Sequence, residues 1–360
     1  MSKYPMVRLE DVCDKATSSI AQKDLKNLEG IYPIYGASGF IKNINFYKQD
    51  REYIAIVKDG AGIGRAMILP AFSSVIGTMQ YILPKDNIIT KYLYFAIDSM
   101  NLAKYFTGAT IPHIYFKDYK NEFLPLPPIE NQRSIIKILE SIVSLIIKRK
   151  QQLSEFDELA KSRFIEMFGD YFDNENILCK LQDICTATIG LTYKPTNVVP
   201  NGITVLRSGN IQNNELYLID DIVQVDNIKI NDDKFIRPYD ILMCSRNGSS
   251  HLVGKSCLIT ETKERMTFGA FMTVIRSNYP YFTQGFFLSD FFKRQLTGTQ
   301  TTSVNQITTK MLYNYHTIKP TEEEENRFAS FIQQLDKSKF RMKKCLKLFG
   351  YMRHLWKIEI

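Results

Sequence analysis

One tryptophan, four histidines and six cysteines are spread through 360 residues, and these scarcities bound the chemistry. The cysteines (Cys13, Cys179, Cys185, Cys244, Cys257 and Cys345) include no C-x-x-C pair. Structural zinc sites need closer ligand spacing, and a chain this long can bury a core without disulfides. Reduced, buried or half-buried thiols are therefore expected. The histidines (His113, His251, His316 and His354) offer no i, i+4 pair for zinc. No apolar run approaches the ~20 residues that span a bilayer, and the start, MSKYPMVRLEDV, lacks the apolar core of a secretory signal. The expectation is a cytoplasmic protein with no membrane partner.

Catalytic signatures are missing as well. An enzyme that methylates base amino groups is expected to carry Asn/Asp-Pro-Pro-aromatic, but the only adjacent prolines, Pro127-Pro128, precede Ile129 and Glu130. A nuclease needs clustered acids for Mg²⁺. The cluster here, Glu322 to Glu325, follows Pro320 at a helix start, where the helix dipole accounts for it. Asp59-Gly60-Ala61-Gly62-Ile63-Gly64 tempts as a phosphate loop, yet it lacks the dinucleotide spacing, and no Lys-Ser or Lys-Thr follows. Arg65 to Pro70 after it reads as a strand. No nucleophile–base pair emerges. We therefore expect no catalytic site, no metal site and no cofactor on this chain.

What is present is repetition. Val7-Arg8-Leu9-Glu10-Asp11-Val12-Cys13 is echoed by Cys179-Lys180-Leu181-Gln182-Asp183-Ile184-Cys185. Tyr53 to Gly60 corresponds to Asp240 to Gly248, each an apolar strand-like run ending in a turn. Val75-Ile76-Gly77-Thr78-Met79 is matched to Thr267-Phe268-Gly269-Ala270-Phe271, and Phe106-Thr107-Gly108-Ala109-Thr110 to Leu296-Thr297-Gly298-Thr299-Gln300. Each half closes on a proline-punctuated segment, 124-LPLPPIENQR-133 and 317-TIKPTEEEENR-327. The period is far longer than a solenoid repeat, so each copy is a domain plus a connector.

The connectors carry helical periodicity. Ile135, Leu139, Ile142, Ile146, Leu153, Phe156 and Phe164 fall at steps of three and four, with Arg149 and Ala160 filling two positions of the seam. Phe328, Ile332, Leu335, Met342, Cys345, Phe349 and Met352 do the same. That is the a/d spacing of a coiled coil. Proline before and acids within the first turn mark both starts, and Gly169-Asp170 marks the first end. Each connector of roughly 40 residues would be about 60 Å long. Two apolar stripes can cover each other, and an antiparallel pair would hold the two domains at opposite ends.

At this point the chain resembles the specificity subunits of type I restriction–modification systems. The segment 124-LPLPPIENQRSIIKIL-139 is similar to that family's entry into its first conserved helix, and 157-DELAKSRFIEMFGD-170 to its ending. In the first half, 33-PIYGASGFI-41 and Lys58-Asp59-Gly60 resemble one class of target-recognition domain. In the second, 205-VLRSGNIQNNELYL-218 and 240-DILMCSRNGSSHLVGKSCLI-259 resemble another. The second helix departs from the pattern by lacking a double proline. The resemblance implies an α+β fold: target-recognition domains at 1–128 and 171–319, and two long conserved helices at 129–170 and 320–360 forming an antiparallel coiled coil. It further implies a non-catalytic, DNA-binding subunit of a phage-defence complex. The expected partners are double-stranded DNA, two methyltransferase subunits and restriction (translocase–nuclease) subunits. S-adenosylmethionine, ATP and Mg would belong to those partners.

Base readout needs donor and acceptor pairs: Arg or Lys for guanine, Asn or Gln for adenine, with Ser and Thr adaptable. In the first domain the candidates are Lys58, Asp59, Arg65, His113, Tyr115 and Lys117, and Tyr35 and Ser38 more weakly. In the second, Arg207, Asn210, Arg246, Asn247, Ser249, His251, Thr302, Ser303, Asn305 and Gln306 qualify. The net charge of +8 leans the same way. Because the two loops differ, the expected site is split and asymmetric, with half-site centres about one helical turn, ~34 Å, apart. Two alternatives stand beside this reading: a DNA methyltransferase with its own active site, and a specificity subunit of another phage-defence methylation complex.

Overall fold

The computed structural model describes residues 3–108, 112–220, 222–226, 228–262, 264–299 and 305–359, with side chains described except at 298–299 and 349–359. It forms two compact units, Met1–Lys150 with Lys343–Ile360, and Gln151–Met342. Among the described residues no helix is long and apolar enough to cross a membrane.

The central strand of the first unit, Tyr53–Val57, is an unbroken buried run. A run of this kind arises when both faces of a sheet are covered. Alternation along the strand divides it between two cores. Ile54 and Ile56 join Tyr92, Leu93 and Ala96 of the helix Thr90–Ser99. Tyr53, Ala55 and Val57 join Ile34, Ile44 and Val75. In the second unit Asp240–Cys244 does the same: Ile241 and Met243 face one core, Leu242 and Cys244 the other.

The duplicated sequence becomes a duplicated topology. The first unit's four-stranded antiparallel sheet runs Cys13–Thr17, Met79–Pro84, Tyr53–Val57, Ala66–Leu69. The second runs Cys185–Ile189, Met272–Ser277, Asp240–Cys244, Ser256–Ile259, in the matching order. Three-stranded sheets match too, each holding one parallel pair: Tyr32–Gly36 with Ser74–Val75, and Val198–Leu206 with Met266–Phe268. Small details recur. The Cys13 thiol donates to the Leu9 carbonyl and the Cys185 thiol to the Leu181 carbonyl, both at 3.2 Å. Burial pushes both thiols up to about 12, which keeps them inert. Cys345 is the departure from the expected burial, being exposed on its helix.

The registers correct two of the sequence pairings. Thr78 and Phe271 occupy one position, since their carbonyls accept from Lys58 N and Ser245 N at the ends of equivalent strands. Gly77 therefore corresponds to Ala270 rather than to Gly269. Likewise Asp59 corresponds to Arg246, so Gly60 aligns with Asn247 rather than Gly248. Matching glycines in the sequence displaced both alignments by one residue, whereas strand pairing fixes the register. The glycine-rich loop has a conformational explanation. Gly60, Gly62 and Gly64 all have positive φ, and a Cβ on Gly64 would lie 2.5 Å from the Ala103 nitrogen.

The long helices are Ile129–Phe172 and Glu322–Glu359. The first continues through Gly169-Asp170, because Phe168 and Phe172 beyond the seam are held by Phe282, Phe286 and Phe291. Within the second unit the two helices run antiparallel. The Tyr171 hydroxyl donates to Glu324 Oε1 at 2.8 Å, Phe164 and Phe168 touch Phe328, and Lys339 Nζ bonds Asp157 Oδ1 at 2.6 Å. Leu335 is buried there, with Leu153, Phe156 and Met342 half-buried. In the first unit Ile142 and Ile146 are half-buried; the side chain of Phe349 lies outside the described residues. Five residues assigned to the seam also pack into domain cores. Ile135 and Leu139 join the first core beside Tyr92, and Phe164, Phe328 and Ile332 join the second beside Phe282. A three–four stripe shows that a helix is covered on one face, not by what.

Each helix is pinned at its start to its own domain. Gln132 is fully buried; its Oε1 accepts from Ile89 N at 2.9 Å and its Nε2 donates to the Pro127 and Asn87 carbonyls. Glu325 is its counterpart, accepting from Tyr281 N and Phe282 N at 2.9 Å each. The acid run is therefore not only a dipole complement. Glu324 forms a capping box with Thr321, and Glu325 serves a neighbouring helix. Burial pushes the Glu325 carboxyl above its ordinary value of 4.5, while the two backbone N–H groups pull it back. A raised folded-state value stabilises the fold fully below the unfolded pKa, and that stability is lost as pH rises through the folded value. The non-titrating Glu325→Gln protein should therefore gain on the native one as pH rises from 4.5 through that raised value. Paired denaturation curves across this range check it, and a constant difference refutes it.

Candidate nucleic-acid interface

In each domain the central strand runs out into a loop that is tied to a distant segment by one isolated antiparallel bridge. In the first domain Asp59 bridges His113, with Ile114 N donating to the Lys58 carbonyl at 2.9 Å and Gly60 N to the Pro112 carbonyl at 3.0 Å. In the second Arg246 bridges Gln306, with Ile307 N donating to the Ser245 carbonyl at 2.7 Å and Asn247 N to the Asn305 carbonyl at 3.2 Å. The two bridges are structurally equivalent. Each fixes a polar pair at the end of a rigid sheet, the placement that precise recognition requires.

Around the first bridge His113 Nδ1 lies 2.5 Å from Asp59 Oδ1, and Lys58 Nζ lies 3.9 Å from the other carboxylate oxygen. The Tyr115 ring, 50% exposed, stacks near the His113 ring at 6.4 Å, and Lys117 Nζ lies 5.4 Å from the tyrosine centroid. Arg65 is exposed at the far end of the same loop. The structure thus gathers Lys58, His113, Tyr115 and Lys117 into one cluster. Tyr35 lies apart, against Phe40 at the Tyr32–Gly36 hairpin, whose turn holds Ser38.

Around the second bridge the Arg246 guanidinium lies 5.4 Å from the centroid of Phe271, which is 58% exposed. The sequence reading passed over Phe271; its signal is a phenylalanine where the first copy has Thr78, at a point where the sheet ends. Ser249 and His251 are exposed on the same loop. One candidate, Asn210, is corrected, and a second, Asn247, is partly committed. Asn210 is 1% exposed; its Oδ1 accepts from Arg207 N and its Nδ2 donates to the Tyr217 carbonyl. Asn247 accepts from Ser249 N and donates to Ser208 Oγ at 3.3 Å. Both amides stabilise their own turns, a competing use for short polar side chains that sequence cannot separate from base contact. Asn305 is partly committed as well, donating to the Gly248 carbonyl at 3.1 Å. Arg207 is half-buried beside this loop. Thr302 and Ser303 lie outside the described residues.

Residues 1–155 match the family model for the type I restriction modification DNA specificity domain. The type I restriction enzyme MjaVIII specificity subunit of Methanocaldococcus jannaschii is 25% identical over 214 residues, 52% of this chain and 50% of that protein. The MjaIX specificity subunit of the same organism is 26% identical over 169 residues, 44% of this chain and 39% of the relative. The chain thus spans half or less of the length of these curated relatives. The solved S subunit of the type I restriction-modification system from M. genitalium has a TM-score of 0.52 at 14% identity, covering 98% of this chain and 94% of that one. A chain from a structure of type I R-M complex assembly and conformational transition reaches 0.59 at 14% identity, covering 98% and 97%. At such identity the likeness is one of fold, and it spans both domains and both helices. The resemblance read from the sequence is borne out.

Proposed function

We propose that the chain, whose residues 1–155 match the type I restriction modification DNA specificity domain, is a specificity subunit reading a bipartite, asymmetric duplex site, one half with each domain. It contributes recognition and no chemistry. Methyltransferase and translocase–nuclease subunits, bringing S-adenosylmethionine, ATP and Mg, act where it binds, in the cytoplasm.

One observation carries this reading: two domains of one topology present different polar pairs, Asp59–His113 and Arg246–Gln306, at the equivalent point beyond their matching sheets. A duplicated platform with divergent contact residues suits two unlike half-sites. A homodimer of identical readers would require a palindrome instead. The antiparallel helices leave large apolar side chains exposed, Leu159 and Phe340 among them, which suits a surface that other subunits cover.

Selection of the full chain on a random duplex library tests the reading. Two short specific blocks of different sequence, separated by unread base pairs of constant number, are expected. A palindrome or one contiguous block overturns it, and methyl transfer by the chain alone overturns the non-catalytic part.

A further inference from the structure

Asp59–His113 and Arg246–Gln306 are equivalent in position and opposite in hydrogen-bonding character, and we infer that they impose different base preferences on the two half-sites. His113, oriented by Asp59, accepts from an exocyclic amino group of adenine or cytosine in one half. Arg246, flanked by Gln306, donates to a guanine in the other. This rests on the DNA-reading function proposed above and adds to it which atoms do the reading.

The chemistry follows from the partners. A carboxylate only accepts, so at 2.5 Å from Asp59 Oδ1 the His113 Nδ1 carries the proton. With the ring neutral, Nε2 is an acceptor, and it makes no hydrogen bond among the described residues. The hydrogen bond to Asp59 sets the ring's direction as well as its tautomer, and the Tyr115 ring lies near-parallel at 6.4 Å. In the major groove the amino donors are N4 of cytosine and N6 of adenine. A fixed acceptor discriminates for them and against the O6 and N7 acceptors of guanine.

Arg246 is the reverse case. Its guanidinium makes no ion pair among the described residues, and the exposed Phe271 ring supports it at 5.4 Å. A planar fork held on a ring suits bidentate donation to guanine O6 and N7. In an antiparallel bridge directly opposed residues project to the same face. Gln306 therefore stands beside Arg246 as His113 stands beside Asp59, and reaches the neighbouring base.

The test is selection of the full-length chain and its variants on a random duplex library. The native chain should prefer guanine at one position of one half by on the order of ten- to a hundredfold, the usual worth of a bidentate contact. Arg246→Ala should erase that preference and leave the other half unchanged. Asp59→Asn and His113→Ala should each relax an adenine or cytosine preference in the opposite half only. Transplanting the pair, Asp59→Arg with His113→Gln, should create a guanine preference in the first half, a gain that misfolding cannot mimic. Uniform loss over all sequences on Arg246→Ala would make it a phosphate contact and overturn the inference, leaving the DNA-reading function intact. Changes in both halves, or in neither, overturn it as well. If the native chain enriches no sequence, the DNA-reading function itself fails.

Discussion

Phe164→Ala is expected to lower the stability of the second domain by about 3–5 kcal/mol, the range for deleting a buried phenylalanine. Phe164 is 1% exposed and touches Phe168, Phe172, Phe282 and Phe328. It joins the first long helix to the second helix and to Pro280–Leu288. The space around it is already minimal, since a Cβ on Gly285 would lie 2.5 Å from Phe164 Cδ2. Gly285→Ala alone should therefore destabilise through overpacking, by about 1–3 kcal/mol. In the double variant the added methyl enters the cavity left by the ring, so the total loss should fall short of the two single losses. Denaturant unfolding of the four proteins measures this. Strict additivity would mean that Gly285 and Phe164 do not share the space assigned to them.

The other large effect concerns recognition. Exchanging residues 179–316 for the matching segment of a relative should replace one half of the recognised sequence and leave the other half and the spacing unchanged. The structure supports these boundaries. Cys179 pairs with Thr317 and Lys180 with His316 in a two-stranded ladder, so both junctions fall at one place and neither long helix is cut. The incoming segment must supply aromatic residues at Phe282 and Phe286, which meet Phe164, Phe168 and Phe172 from the first helix. A methylation map of cells carrying the exchanged chain reads the outcome. Both halves changing, or neither, would refute one half-site per domain.

The domain–helix–domain–helix order, the duplication and both helix starts were legible in the chain, because each rests on local signals. Strand runs, proline followed by acids, and a three–four apolar stripe need no distant partner to be recognised. The match of Leu9–Cys13 to Leu181–Cys185 held residue for residue, down to the same thiol-to-carbonyl bond. His113 and Arg246 were also legible as candidates, because their residue types at turn-rich positions suit base contact. What pairs with what was not. That Asp59 answers to Arg246, and that Ile135 and Leu139 serve the first domain's core, depends on register and on which surface lies opposite. Asn210 and Asn247 look like readers in the sequence, yet Asn210 is buried within its own turn and Asn247 is drawn onto the Ser208 hydroxyl, 39 residues away. Periodicity and residue type are properties of the segment itself, so the sequence alone determined the elements and their order. Burial and hydrogen-bond occupancy are properties of the pair, and only the tertiary structure, which brings the second member into place, decided them.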